Sequence, residues 1–190
     1  MMKRDEILSS IAATARQHNA ILFVGNAMNA RAMYTLADRD DCFYMVGSMG
    51  LCPTIAAGFS HCAQVPVIAI EGDGNALMGL SGFPVASNAA KSPFVHIVLD
   101  NGMYESTGWQ QNLSPRVDFV QLALGVGYDC AYHPDDLESF ASLLQTALQS
   151  TRRTFMCVST EPDVTHPRIA HHPRFIAQRF REAIASRLHS

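Results

Sequence analysis

The sequence predicts an α/β fold in three layers, a mainly parallel sheet with helices on both faces, with residues 1–190 as one domain. Two observations predict it. Short apolar runs without polar alternation read as strands buried on both faces, and the segments between them are long enough to be crossover helices. Glycine, aspartate or asparagine then closes these runs, at Gly25, Gly47, Asp73 and Asn101. In sheets of this kind ligands bind at the carboxyl ends of the strands.

Taken in order, Ile7, Leu8, Ile11 and Ala12 recur at helical spacing, so the chain opens on an amphipathic helix. Residues 21–24 form the first strand, and Gly25-Asn26-Ala27 breaks it before a helix through Arg31, Met33, Tyr34 and Leu36. A second strand, 42–46, ends at Gly47. Residues 53–60 are small and apolar, which suits a helix packed closely on the sheet; Pro53 is acceptable in a first turn, where its missing N–H has no partner to lose. The third strand is 65–70, the next helix 77–90 and the fourth strand 94–99. Helices at 118–124 and 135–150, the latter with an acidic start, lead to a last strand at 154–159. Arg174, Arg179, Arg181 and Arg187 mark a basic tail helix, expected as a solvated face or a subunit contact.

Composition narrows the function. With 190 residues, 48% hydrophobic, the chain can bury a good core, and a net charge of -3 offers no basic footprint for nucleic acid or an anionic membrane. The N-terminus lacks the apolar core of a signal peptide and no run approaches membrane-spanning length, so the default location is cytoplasmic. Five cysteines, Cys42, Cys52, Cys62, Cys130 and Cys157, form an odd set without paired short spacing. Reduced packing residues are expected rather than disulfides or a zinc site. Asp5, Glu6 and the acids of 38–41 are expected on the surface, and His171-His172, between Pro167 and Pro173, in a surface linker.

Chemistry concentrates in Glu71-Gly72-Asp73-Gly74-Asn75 and, well downstream, Asp100-Asn101-Gly102. A strand delivers one carboxylate, two glycines let the backbone approach a ligand, and a helix starts whose free N–H groups can face phosphate. The second strand brings an amide oxygen to the same edge. One carboxylate and one amide suit magnesium, a hard cation that takes few protein oxygens and completes its octahedron with phosphates and water.

This arrangement resembles the cofactor-binding (PP) domain of thiamine-diphosphate enzymes, whose signature is Gly-Asp-Gly followed after some two dozen residues by Asn. Gly47-Ser48-Met49-Gly50 sits where those decarboxylases carry a Gly-Ser-aliphatic-Gly turn under the cofactor. The resemblance implies that Asp73, the Asn101 side chain and the Met103 carbonyl hold magnesium. It further implies that Asn75 and Ala76 face the diphosphate, with Gly47, Ser48, Gly72, Gly74 and Tyr104 also against the cofactor. Met49 is then the apolar wedge that bends it, and the Gly47 carbonyl accepts from its aminopyrimidine amino group.

Within the family, Leu99-Asp100-Asn101-Gly102-Met103-Tyr104-Glu105-Ser106-Thr107-Gly108 is similar to the phosphonopyruvate and sulfopyruvate decarboxylase branch, as are Arg31 and Tyr34 in an Arg-x-x-Tyr pattern. Asn26-Ala27-Met28-Asn29, Trp109 and Gln111 depart from it. Ser106, Thr107 and Gln110 are the candidates to receive an anionic substrate tail, unless they only form the next turn. The family's activating Glu comes from a separate pyrimidine-binding (PYR) domain, and nothing here resembles one. No catalytic residue is therefore assigned to this chain. A PYR-domain alpha subunit is the expected partner, in an alpha2beta2 or larger assembly acting on a small 2-oxo acid. A carboligase subunit or a non-catalytic cofactor-binding module would use the same residues.

Overall fold

The computed structural model describes residues 1–63, 65–91, 93–161 and 164–187. In chain order these form β1 (Met2–Lys3), α1 (Arg4–Gln17), β2 (Ile21–Val24), α2 (Met28–Ala37), β3 (Cys42–Tyr44) and α3 (Cys52–Cys62). There follow β4 (Val67–Gly72), α4 (Asp73–Met78), α5 (Gly82–Ala89) and β5 (Phe94–Asp100). A small hairpin, β6 (Met103–Tyr104) with β7 (Gln110–Gln111), precedes α6 (Phe119–Gly125), β8 (Cys130–Tyr132), α7 (Leu137–Gln149), β9 (Arg153–Glu161) and α8 (Pro173–Ile184).

Every pair in the main sheet is parallel, in the order β1-β9-β5-β4-β2-β3, with β8 also on β9. The period of two along each strand divides the core. Leu22, Val24, Ile68, Ile70, Val95 and Ile97 pack with Ile7 and Leu8 of α1, Met33 of α2 and Phe140 and Leu144 of α7. Ile21, Phe23, Val67, Ala69, Phe94 and Val98 pack with Ala56 of α3, Phe83 of α5, Phe119 of α6 and Phe180 of α8. Burying each such Ile, Leu or Phe stabilises by roughly 1.5–3 kcal/mol, which makes this double core the main support of the fold. Asp118 and Asp136 cap α6 and α7, the latter in a reciprocal capping box with Ser139.

Three expectations change. The helix expected at 77–90 starts earlier, at Asp73, and is interrupted between α4 and α5. Pro84 has no N–H for the Leu80 carbonyl and its ring crowds that carbonyl, so a continuous helix breaks there; the break lets the backbone of Gly50 cross against Gly79, whose missing Cβ would lie 2.1 Å from the Gly50 carbonyl oxygen. The acids of 38–41 and the basic tail helix do not both face solvent. Asp41 is buried between Arg39 and Arg187, and Arg179 of α8 grips Asp38, so tail and turn neutralise each other within the chain. His172 is exposed as expected, but it serves as the side-chain cap of α8 rather than as linker. The five cysteines are free; Cys42, Cys52 and Cys157 are packing residues, whereas Cys62 is exposed.

Candidate functional site

The carboxyl ends of β4 and β5, neighbours in register from Val67↔Phe94 to Gly72↔Leu99, bring Asp73 and Asn101 to one edge. Both line a single cleft with Gly72, Gly74, Asn75, Met49, Met103 and Tyr104. Asp73 is buried and its carboxylate is held on both oxygens. Oδ2 accepts from the Gly102 N–H (2.8 Å), the Asn112 amide (2.8 Å) and the Ser114 hydroxyl (3.3 Å), while among the described residues Oδ1 accepts only from the Gly74 N–H (2.8 Å). A carboxylate oxygen takes more than one bond, so Oδ1 retains acceptor capacity. The Asn101 side-chain oxygen closes an Asx turn on the Met103 N–H at 2.9 Å and likewise keeps a lone pair.

The electrostatics ask for a cation. Burial, together with Asp100, which shares the Ser114 hydroxyl, raises the Asp73 pKa to about 6, against the lowering effect of the Asn112 amide. Neither carboxylate is in an ion pair among the described residues. The donor set, one strongly oriented carboxylate beside neutral oxygens, is that of a hard divalent ion. The residues present fit magnesium.

The opposite wall is a glycine turn. Gly47, Ser48 and Gly50 have φ of +87°, +51° and +88°, left-handed values that favour glycine and explain the Gly-x-x-Gly spacing. Asn75 secures this turn by accepting the Gly50 N–H at 3.3 Å. Met49 is thereby brought over Gly74, where an added Cβ would lie 3.3 Å from its methyl and 2.4 Å from the Tyr104 ring. Gly74 is the floor of a cradle that any side chain would fill. Asn26 Oδ1, buried at the same cleft, has no partner among the described residues and is an acceptor open to a ligand.

Other expected residues are placed less uniformly. Gly47 lines a neighbouring cavity rather than the cleft, Ser48 is exposed, and Ala76 is fully buried below the start of α4. Ser106 lines both spaces. Thr107 and Gln110 bond to each other at 2.9 Å on the exposed hairpin and line neither.

Several contributors escaped the sequence reading. Asn112 and Ser114, both buried, orient Asp73 from behind, but they lie in a loop of ordinary polar composition. Arg4 reaches the cleft because β1 pairs with the end of β9, and there it forms a buried ion pair with Glu105. A two-residue strand carries no periodicity that could announce it. Within the core, His96 bridges Glu71 (2.9 Å) and the Tyr128 hydroxyl (2.9 Å), all three buried. A histidine inside an otherwise apolar strand was the available signal for that relay.

The chain is similar to known proteins over most of its length. A phosphonopyruvate decarboxylase of Streptomyces viridochromogenes is 35% identical over 162 residues, 83% of this chain and 40% of that protein. Sulfopyruvate decarboxylase subunit beta of Methanocaldococcus jannaschii is 29% identical over 185 residues, 96% of this chain and 97% of the subunit. The chain thus spans about 40% of the length of the Streptomyces phosphonopyruvate decarboxylases it matches, and nearly all of that subunit. Among solved structures, the thiamine diphosphate-dependent 4-hydroxybenzoylformate decarboxylase of Rhodococcus jostii RHA1 superposes with a TM-score of 0.67 at 26% identity, over 82% of this chain and 33% of that one. No helix among the described residues is long and apolar enough to cross a membrane. The family profile described as thiamine pyrophosphate enzyme, C-terminal TPP binding domain, matches residues 24–158, and the chain belongs to that family.

Proposed function

We propose that this chain is the thiamine-diphosphate- and magnesium-holding beta subunit of a split 2-oxo acid decarboxylase that converts phosphonopyruvate or sulfopyruvate to the aldehyde and carbon dioxide. The observation that carries the reading is the Asp73 carboxylate, held by four donors at the end of β4 beside Asn101 at the end of β5, in one cleft with the Gly47–Gly50 turn. The names of the relatives support the substrate class, and the near-complete match to a beta subunit supports a separate alpha chain.

In this reading Asp73, Asn101 and the Met103 carbonyl hold magnesium, while the backbone of Gly72, Gly74, Asn75 and Ala76 receives the diphosphate, with Ser48 and Tyr104 alongside. Met49 would press on the cofactor from the glycine turn, and the carbonyl of Gly47, which lines the neighbouring cavity, would accept from its aminopyrimidine amino group. When bound, thiamine diphosphate supplies a carbon nucleophile for the 2-oxo carbon and an electron sink for the pair released with carbon dioxide. The chain's own contribution is orientation and charge: Asn112 and Ser114 lock the Asp73 carboxylate, and the ion it holds answers the negative charge of Asp100. The Glu that activates the pyrimidine, and the wall that excludes water, come from the PYR-domain alpha subunit, two of each chain completing the paired sites. The protein works in the cytoplasm on small anions.

Calorimetry with thiamine diphosphate and magnesium tests the site. Asp73→Ala removes the only carboxylate assigned to the ion and is expected to abolish loading, whereas Asn101→Ala, losing a neutral ligand that water replaces in part, weakens it less. Wild-type loading of Asp73→Ala sinks the assignment. Turnover of phosphonopyruvate, sulfopyruvate and pyruvate, with and without the alpha subunit, tests the split: activity of this chain alone refutes it.

A further inference from the structure

A second cavity, of about 460 Å³, lies beside the cofactor cleft and shares Asn26, Ala27 and Ser106 with it. Its lining is charged in one sense. Its lining includes Arg31, Arg168, His171 and Ser106, with no carboxylate residue among those described. Arg4, Arg39, Arg153, Arg179 and Arg187 are each matched to an acid, whereas neither Arg31 nor Arg168 has an ion pair among the described residues.

The pair is positioned by local structure. Arg31 and Tyr34 stand one turn apart on α2 and so share a face. The Tyr34 ring meets His171 edge-on, centroids 5.8 Å apart at 82°, and is backed by Tyr44 at 5.6 Å. His171 also packs on Phe175 at 4.5 Å, and the next residue, His172, caps α8. The segment carrying Arg168 and His171 is therefore pinned over α2. The same contacts account for the Arg-x-x-Tyr spacing: one residue supplies charge to the cavity and the other fixes its roof.

We propose that this cavity, which Gly47 would join to the aminopyrimidine, holds at Arg31 and Arg168 the subsite for the substrate's anionic tail, a tetrahedral oxyanion, with these two as its specificity-determining residues and Ser106 as the neutral donor on the side shared with the cofactor. The proposal rests on the cofactor reading above for its link to turnover, but anion binding is a separate property. Two permanent guanidiniums neutralise a dianion and leave one charge unmatched with a monoanion, so the subsite prefers a phosphonate to a sulfonate. An uncharged methyl tail leaves both unmatched.

Titration calorimetry on the full chain with phosphonoacetate, sulfoacetate and acetate, each with and without saturating magnesium and thiamine diphosphate, tests this. Phosphonoacetate is expected to bind about tenfold tighter than sulfoacetate, with no saturable binding of acetate, since hydrogen bonds to charged groups are the strong ones. Arg31→Met and Arg168→Met each weaken phosphonoacetate by about tenfold or more, Arg168→Lys recovers part of the loss, and Arg181→Met on the exposed face of α8 changes nothing. Cofactor affinity and thermal midpoint, measured on every variant, are expected to stay at wild-type values. Equal affinity for the three probes, or arginine-to-methionine variants that bind like wild type, overturns the proposal. Failure of the cofactor to bind overturns the reading above instead, and leaves the arginine dependence measured without cofactor to stand by itself.

Discussion

Gly79→Ala tests whether the cofactor turn is set by backbone contact. Gly79 has φ of -104°, which alanine adopts freely, so the substitution carries no conformational penalty. Its Cβ would nevertheless lie 2.1 Å from the Gly50 oxygen and 2.7 Å from two further Gly50 backbone atoms, far inside the 3.0 Å that real Cβ contacts respect. No flexible side chain can yield, so the two backbones must separate. Overpacking of this kind costs about 3 kcal/mol at the upper end of its usual range. For a chain of this size that lowers the melting temperature by roughly 6–12 °C. The displaced element is the turn that carries Met49, so cofactor binding is expected to fall in parallel. Two glycines calibrate the result. Gly58, in α3, has open space and no positive φ, and its alanine variant is expected to gain about 0.4–1 kcal/mol. Gly47 has open space but φ of +87°, so alanine there isolates the backbone penalty of roughly 1–2 kcal/mol. Differential scanning fluorimetry with and without cofactor reads all three. A Gly79→Ala protein that melts with wild type and binds cofactor normally refutes the account of the turn.

Further expectations concern charge, burial and strain. Because the Asp73 pKa is raised to about 6, its ionised form is disfavoured in the fold: this group destabilises the cofactor-free chain above pH 6, and that penalty fades as pH falls towards its ordinary carboxylate value. A divalent ion needs the ionised form, so the rise in melting temperature on adding magnesium and thiamine diphosphate should be large at pH 7.5 and small at pH 5; equal rises contradict the assignment. His96→Leu leaves the Glu71 carboxyl and the Tyr128 hydroxyl buried without their partner, and urea denaturation should show a loss of about 3–5 kcal/mol. A loss below 1 kcal/mol would remove the relay's structural role. Ala27, at φ +72° and ψ -134° on the rim of both cavities, holds a backbone state suited to glycine, so Ala27→Gly should stabilise by about 0.5–1 kcal/mol despite glycine's greater unfolded-state freedom. Destabilisation by the same amount would show that the strain is not there.

What could be read from the sequence follows from which interactions are local. The central strands β2, β4, β5 and β9 announced themselves because a strand buried on both faces needs an unbroken apolar run, whereas the short β1 and β8 did not; Asp73 and Asn101 stood out because polar residues at the ends of such runs lie at one sheet edge whatever the loops do. The helix at 77–90 was legible in its apolar pattern, and Pro84 carried the signal for its interruption; what the sequence did not carry is that Gly50 crosses at Gly79 in the gap. Arg179 looked like a surface charge because it meets Asp38 only after α8 folds back on the turn before β3, and Asp41 because Arg187 reaches it from the end of the same tail, beside the local Arg39. Asn112 and Ser114 had no pattern at all, since a loop residue that turns its polar atom onto Asp73 is indistinguishable in text from one that faces water. The same reasoning explains why the cofactor half of the site was more legible than the substrate half. In the proposed site, metal and diphosphate are held at strand ends and a glycine turn, whose residue types are dictated by backbone geometry. The cavity proposed for the tail is lined by residues of α2 and of the segment before α8, distant in sequence, and the contact of Tyr34 with His171 is what joins Arg31 and Arg168 at one space.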